Sequence, residues 1–108
     1  MRKVVKDGKV AVLYSRGFGA GWYTWNPEAG QQLIYEPIVV EWVLAGKPNN
    51  HMATAVFDYI QQQYEYVYTG GMQDLEVRWL PIGARFRINE YDGSEHIVTD
   101  EEEEWHTA

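Results

Sequence analysis

Two groups of residues in this chain could do chemistry. The first lies near the C-terminus. Leu75, Val77 and Trp79 alternate with Glu76 and Arg78, and Ala84, Phe86 and Ile88 alternate with Arg85, Arg87 and Asn89. Each run reads as a half-buried strand, because side chains alternate faces with a period of two. A turn over Leu80-Pro81-Ile82-Gly83 then pairs Trp79 with Ala84, Val77 with Phe86 and Leu75 with Ile88. That register sets Arg78 opposite Arg85 and Glu76 opposite Arg87. Asp92-Gly93 signals a two-residue hairpin, since a type I′ turn needs φ > 0 at both central positions, and it sets Asn89 opposite His96. The expectation is a polar sheet face holding Glu76, Arg78, Arg85, Arg87, Asn89 and His96. Facing like charges are unfavourable, so the arginines want an anion. It could be a ligand phosphate or carboxylate, a partner's acid, or the chain's own acids at 100–104.

The second group is Arg16-Gly17-Phe18-Gly19-Ala20-Gly21-Trp22-Tyr23-Thr24-Trp25-Asn26, where three glycines are interleaved with aromatics. Glycine permits φ > 0 and close backbone approach, and aromatics bring contact area and stacking. The stretch reads either as a contact loop, with Arg16, Phe18, Trp22, Tyr23 and Trp25 as candidate binding residues, or as a tight corner over the chain's own core. It is not a dinucleotide fingerprint, because Trp22 and then Pro27 stand where a third glycine and a helix are required. It is not a phosphate loop either, since no Gly-Lys-Ser or Gly-Lys-Thr follows.

Other reactive types are scattered. His51, His96 and His106 have no second ligand at a metal-binding spacing. Ser15 lacks the hydrolase elbow pattern. There is no cysteine, which excludes disulfides and thiol chemistry. No nucleophile–base pair can be named, and no cofactor or metal is expected. Glu101, Glu102, Glu103 and Glu104 form an acidic run, which reads as a solvated segment or as a contact for a basic partner.

The length of 108 residues suits one domain, and a chain of this size buries roughly two thirds of its unfolded surface without staples. We read a single domain over 1–108, with 100–108 as an acidic C-terminal segment. The net charge is −7. Cations gather in the first sixteen residues, whereas residues 89–108 hold eight acids and no Lys or Arg. That balance argues against duplex nucleic acid, which is bound by neutralising phosphates. No apolar run approaches the roughly 20 residues of a membrane span, and Met1-Arg2-Lys3 does not open a signal peptide. Five Trp, eight Tyr and three Phe exceed what the core requires. The surplus points to a contact surface or a homo-oligomer.

The elements follow from pattern. Asp7-Gly8 marks a hairpin between Val4-Val5 and a second strand from Val10 to Tyr14. The second strand is apolar throughout, so it should be central and covered on both faces. Residues 15–32 read as loop. Glu36-Pro37 opens a helix that Gly46 closes. Asn49 or Asn50 caps a second helix, whose apolar stripe is Met52, Val56, Tyr59, Ile60 and Tyr64. The order is ββααβββ, an α+β fold with an antiparallel sheet and a helical hairpin packed on one face.

The string Val10-Ala11-Val12-Leu13-Tyr14-Ser15-Arg16-Gly17-Phe18-Gly19-Ala20-Gly21-Trp22, with Phe86-Arg87-Ile88 and Glu90-Tyr91-Asp92-Gly93, resembles small uncharacterised proteins encoded by tailed bacteriophages. The resemblance covers most of the chain and includes no motif of known chemistry. It implies action in the cytoplasm of the infected bacterium. It also implies counter-defence, either by blocking a host protein or by sequestering a signalling nucleotide. Two functional expectations result. One is a non-enzymatic inhibitor that binds a host protein through exposed aromatics and the acidic segment. The other is a binder of a small anionic nucleotide, held between the arginine face and the glycine–aromatic loop.

Overall fold

The computed structural model describes residues 2–100. It is an α+β fold with antiparallel sheets and three helices. In chain order the elements are β1 (Val5–Lys6), β2 (Lys9–Ser15), α1 (Gly30–Leu33), α2 (Pro37–Leu44), α3 (His51–Gln63), a 3-10 turn (Met72–Asp74), β3 (Leu75–Pro81), β4 (Phe86–Tyr91) and β5 (Ser94–Thr99).

Local chemistry sets most of these boundaries. Asp7 and Gly8 both take positive φ, as do Asp92 and Gly93, so both hairpins turn as their Asp-Gly pairs require. Pro37 occupies the first turn of α2, where its missing N–H costs nothing. Gly46 follows the end of α2 with φ +93°. Asn50 caps α3 by accepting from the Met52 N–H at 2.8 Å. One element goes beyond the sequence reading of residues 15–32 as loop: the short helix α1, begun when the Gly30 N–H donates to the Asn26 carbonyl at 2.7 Å.

The strands form two sheets rather than one. β2 is the central strand of β1-β2-β3, with Val12 opposite Arg78 and Leu13 opposite Val77. β4 and β5 form a separate hairpin, with Asn89 opposite His96 and Ile88 opposite Ile97. The expected pairing of β3 with β4 is therefore wrong, and Arg78 does not face Arg85. The physical reason lies in β2, whose Ala11, Val12 and Leu13 are all buried. Ala11 and Leu13 join the main core with Trp22, Leu33, Val39, Val40, Trp42, Val56, Ile60 and Leu75. Val12 points the other way and packs with Ile34, Leu80 and Ile97, flanked by Phe86 and Ile88. A single sheet would leave that second face in water. Fully burying one Val, Leu or Ile side chain is worth about 1.5–3 kcal/mol. The chain therefore turns out of the sheet after Pro81 and lays the β4–β5 hairpin over Val12 and Leu80. The apolar side chains of β4 meet this second core, not the helical pair.

Candidate functional site

The glycine–aromatic loop is built around a carboxylate. In β5, Glu95 lies on the same side as Ile97 and is 1 % exposed. Its Oε1 accepts from the Ser15 N–H and the Ser15 hydroxyl, each at 3.1 Å. Its Oε2 accepts from the Tyr23 N–H at 2.9 Å, the Thr24 N–H at 2.7 Å and the Thr24 hydroxyl at 2.8 Å. A buried carboxylate is tolerated when its lone pairs are met, and five donors meet these.

Trp22 lies between the two ends of this clamp. Its backbone N–H donates to Ser15 Oγ at 3.0 Å, and its indole N–H donates to the Leu33 carbonyl at 3.0 Å. The side chain is fully buried in the main core. Of the two readings of residues 16–25, the turn over the core describes Trp22. Asn26 continues the framework. Its Nδ2 donates to the carbonyls of Trp22 and Tyr68, and its Oδ1 accepts from the Tyr68 N–H at 2.7 Å. That pairing fixes the irregular segment after α3 beside the loop.

The outer side of the loop is held against the β4–β5 turn. The Gly19 N–H donates to the Asp92 carbonyl at 2.6 Å, and the Gly21 N–H donates to the Gly93 carbonyl at 2.8 Å. The Ser94 hydroxyl donates to the Arg16 carbonyl at 2.6 Å. Gly93 makes this approach possible. A Cβ there would lie 2.8 Å from the Ala20 nitrogen and 2.9 Å from the Gly19 nitrogen, and its φ is +84°.

With the loop so fixed, its remaining aromatics stand outside the core. Phe18 meets Tyr91 of β4 edge to face, with ring centroids 6.3 Å apart and planes at 78°. They are 74 % and 76 % exposed. Trp25 meets Tyr68 at 5.3 Å, and the Tyr68 hydroxyl donates to the Gly19 carbonyl at 2.5 Å. Phe18 and Gly19 are chain neighbours, so the two aromatic pairs meet at one backbone segment. Tyr66, two residues before Tyr68, is 98 % exposed and takes φ +56°. A non-glycine residue in that region stores strain of roughly 1–3 kcal/mol.

The other anticipated residues are distributed. Arg16 is exposed and pairs with Glu76 at 3.5 Å. Glu76 also accepts from the Tyr14 hydroxyl at 3.1 Å. Burial, and then that bond, push the Tyr14 hydroxyl above its ordinary value of 10.0. Arg78 donates to the Ile97 carbonyl at 3.0 Å, so it bridges the first sheet to the hairpin. Arg85 pairs with Asp100 at 3.6 Å on an exposed edge. Arg87, opposite Val98 on β4, is exposed, as is His96. Asn89 is half-buried beside His96, and Tyr23 is half-buried against the second core. The structure therefore brings Phe18 and Trp25 together with Tyr68 and Tyr91, and it does not gather the three arginines on one strand pair. Glu101, Glu102, Glu103 and Glu104 lie outside the described residues.

Among the described residues, no three His, Asp or Glu side chains gather as a metal ion would require. No helix among them is long and apolar enough to cross a membrane. No protein-family model, curated protein or solved structure matches this chain.

Proposed function

We propose that this chain is a non-enzymatic binding protein that acts by covering a surface of another protein. The observation that supports this reading is the exposed aromatic group of Phe18, Trp25, Tyr68 and Tyr91, held on a loop and a turn that hydrogen-bond to each other. Exposed, preorganised Tyr, Trp and Phe side chains add contact area at low entropic cost and concentrate the energy of interfaces. Glu90 and Asp92 flank Tyr91 in sequence, and with the chain's charge of −7 they favour a partner that is basic around its contact. The resemblance to small tailed-phage proteins makes a bacterial host protein the proposed partner, inhibition the proposed consequence and the host cytoplasm the compartment.

The alternative, sequestration of an anionic nucleotide, calls for an arginine face across β3 and β4 beside the glycine–aromatic loop. Those strands do not pair, so the geometry favours the protein partner.

The test compares the wild-type chain with Phe18→Ser/Tyr91→Ser. Both are used to capture proteins from a bacterial lysate, and the captured protein is then purified and its affinity measured. The expected result is a partner bound by the wild type and lost by the double variant, with both folded. A partner retained equally by the double variant would overturn the reading.

A further inference from the structure

A second carboxylate is buried under quite different conditions from Glu95. Glu36 precedes Pro37 at the start of α2 and is 4 % exposed. Its side chain makes no capping bond to its own helix. It turns instead toward α3 and accepts from the Tyr64 hydroxyl at 2.6 Å. Tyr59 of the same helix also borders it. Burial first, and then Glu36, raise both hydroxyls above the ordinary 10.0, so these neighbours are neutral donors and supply no positive charge. Among the described residues, no Lys, Arg or His comes within ion-pair distance of Glu36.

Glu36 lines a cleft of about 420 Å³, together with Tyr59, Tyr64, Pro37, Ile38 and Glu41. Arg2 lies at the same cleft and is exposed. The two carboxylates outweigh it. A buried carboxylate is costly unless a charge or several hydrogen bonds compensate it. Glu95 has five donors, whereas Glu36 accepts from the Tyr64 hydroxyl and borders a cleft whose other polar side chains include Gln32 and Gln63.

We propose that this cleft binds one organic cation, an alkyl guanidinium or primary ammonium group, with Glu36 as its counter-ion. The chemistry of the walls fits such a group. A guanidinium can take a carboxylate through two parallel N–H donors. Tyrosine faces attract a desolvated cation, and Pro37 with Ile38 can cover an alkyl stem. Glu41 is exposed and would favour a cation approaching the opening. The site uses none of the residues of the aromatic surface, so it stands apart from the reading above.

Titration of isotopically labelled protein with butylguanidinium, butylammonium and neutral butylurea, followed by NMR, tests the proposal. Both cations should give saturable shifts at Glu36, Tyr59 and Tyr64, and butylurea none. Glu36→Gln should weaken binding more than ~10-fold. Glu41→Gln changes an exposed side chain, and it should weaken binding by about 2–5-fold. A peptide arm, N-acetyl-Gly-Arg-Gly-amide, distinguishes the source. Tighter binding than butylguanidinium assigns the site to a protein side chain, and weaker binding assigns it to a free small cation. Absence of saturable shifts with the cations, equal binding of butylurea, or undiminished binding in Glu41→Gln would overturn the proposal, whether or not Glu36→Gln folds.

Discussion

Ser15 and Glu95, eighty residues apart in sequence, are joined twice: the backbone N–H and the hydroxyl of Ser15 both donate to Oε1 of Glu95 at 3.1 Å. The hydroxyl then accepts from the Trp22 N–H. One serine thus connects the end of the central strand, the last hairpin and the loop that carries the exposed aromatics. Had Ser15 been a nucleophile, its oxygen would need an open approach. It is fully buried, and its hydrogen bonds are structural.

Glu95→Ala should be among the most destabilising single changes in the protein. It removes the acceptor for five donors, and each buried donor left unmet costs about 1–3 kcal/mol. We expect a loss above about 3 kcal/mol by urea denaturation, and Glu95→Gln should lose somewhat less. A loss under about 1 kcal/mol for Glu95→Ala would show that water replaces the carboxylate freely.

Gly93 and Gly8 should respond differently to the same change. Both have positive φ, but a Cβ at Gly8 meets open space, whereas one at Gly93 meets the backbone nitrogens of Gly19 and Ala20. Gly8→Ala should cost about 1 kcal/mol for backbone strain alone. Gly93→Ala should cost at least about twice that, because the loop must move away from the turn. Equal losses in thermal melts would contradict the close approach.

Stability should fall at alkaline pH. Folding raises the hydroxyl of Tyr64 above its ordinary 10.0 through burial and then Glu36, and Tyr59, Tyr14 and Tyr35 are raised as well. The unfolded chain therefore gives up these protons first. The contribution is fully present below pH 10 and is lost as pH rises through the interval above it. Melting temperatures between pH 9 and pH 11.5 should be level at first and then decline, and Tyr64→Phe should make the decline shallower. An unchanged slope in Tyr64→Phe would remove Tyr64 from this linkage.

Tyr66→Asn should stabilise the free protein by about 0.5–1 kcal/mol, since Asn adopts the left-handed region more readily than Tyr. The side chain is almost wholly exposed, so no packing is lost. No gain, or a loss, in thermal melts would contradict strain at Tyr66.

Much of the fold was legible because it follows from local chemistry. The two Asp-Gly turns, Pro37 opening α2, Asn50 capping α3 and the buried stripe at Val56 and Ile60 are each fixed by a few neighbouring residues. The pairing of β3 was not, because sheet partners are chosen by distant surfaces. The decisive clue was present in Val10, Val12 and Tyr14, which needed cover on the face away from α2 and α3; the β4–β5 hairpin supplies it together with Ile34, Tyr23 and Tyr35. Glu95 was also within reach. The correct pairing of Asn89 with His96 puts Glu95 on the same side as Ile97, hence inward, although an acid in that place looks like a surface residue. Its donors come from residues 15, 23 and 24, and no sequence pattern links them to residue 95. Glu36 was recognisable as the start of a helix, but its turn toward Tyr64 depends on how α2 and α3 pack.

Under the proposed function, the aromatic side chains beside the Glu95-clamped loop form a contact surface for another protein. Calorimetry of the purified partner against wild type, Phe18→Ala, Trp25→Ala and Tyr91→Ala, with Leu44→Ala as an exposed control on α2, tests this most directly. At least one of the three aromatic changes should cost about 2 kcal/mol or more of binding free energy, and the control should cost almost nothing. Full affinity in all three aromatic variants, each shown to be folded, would contradict it.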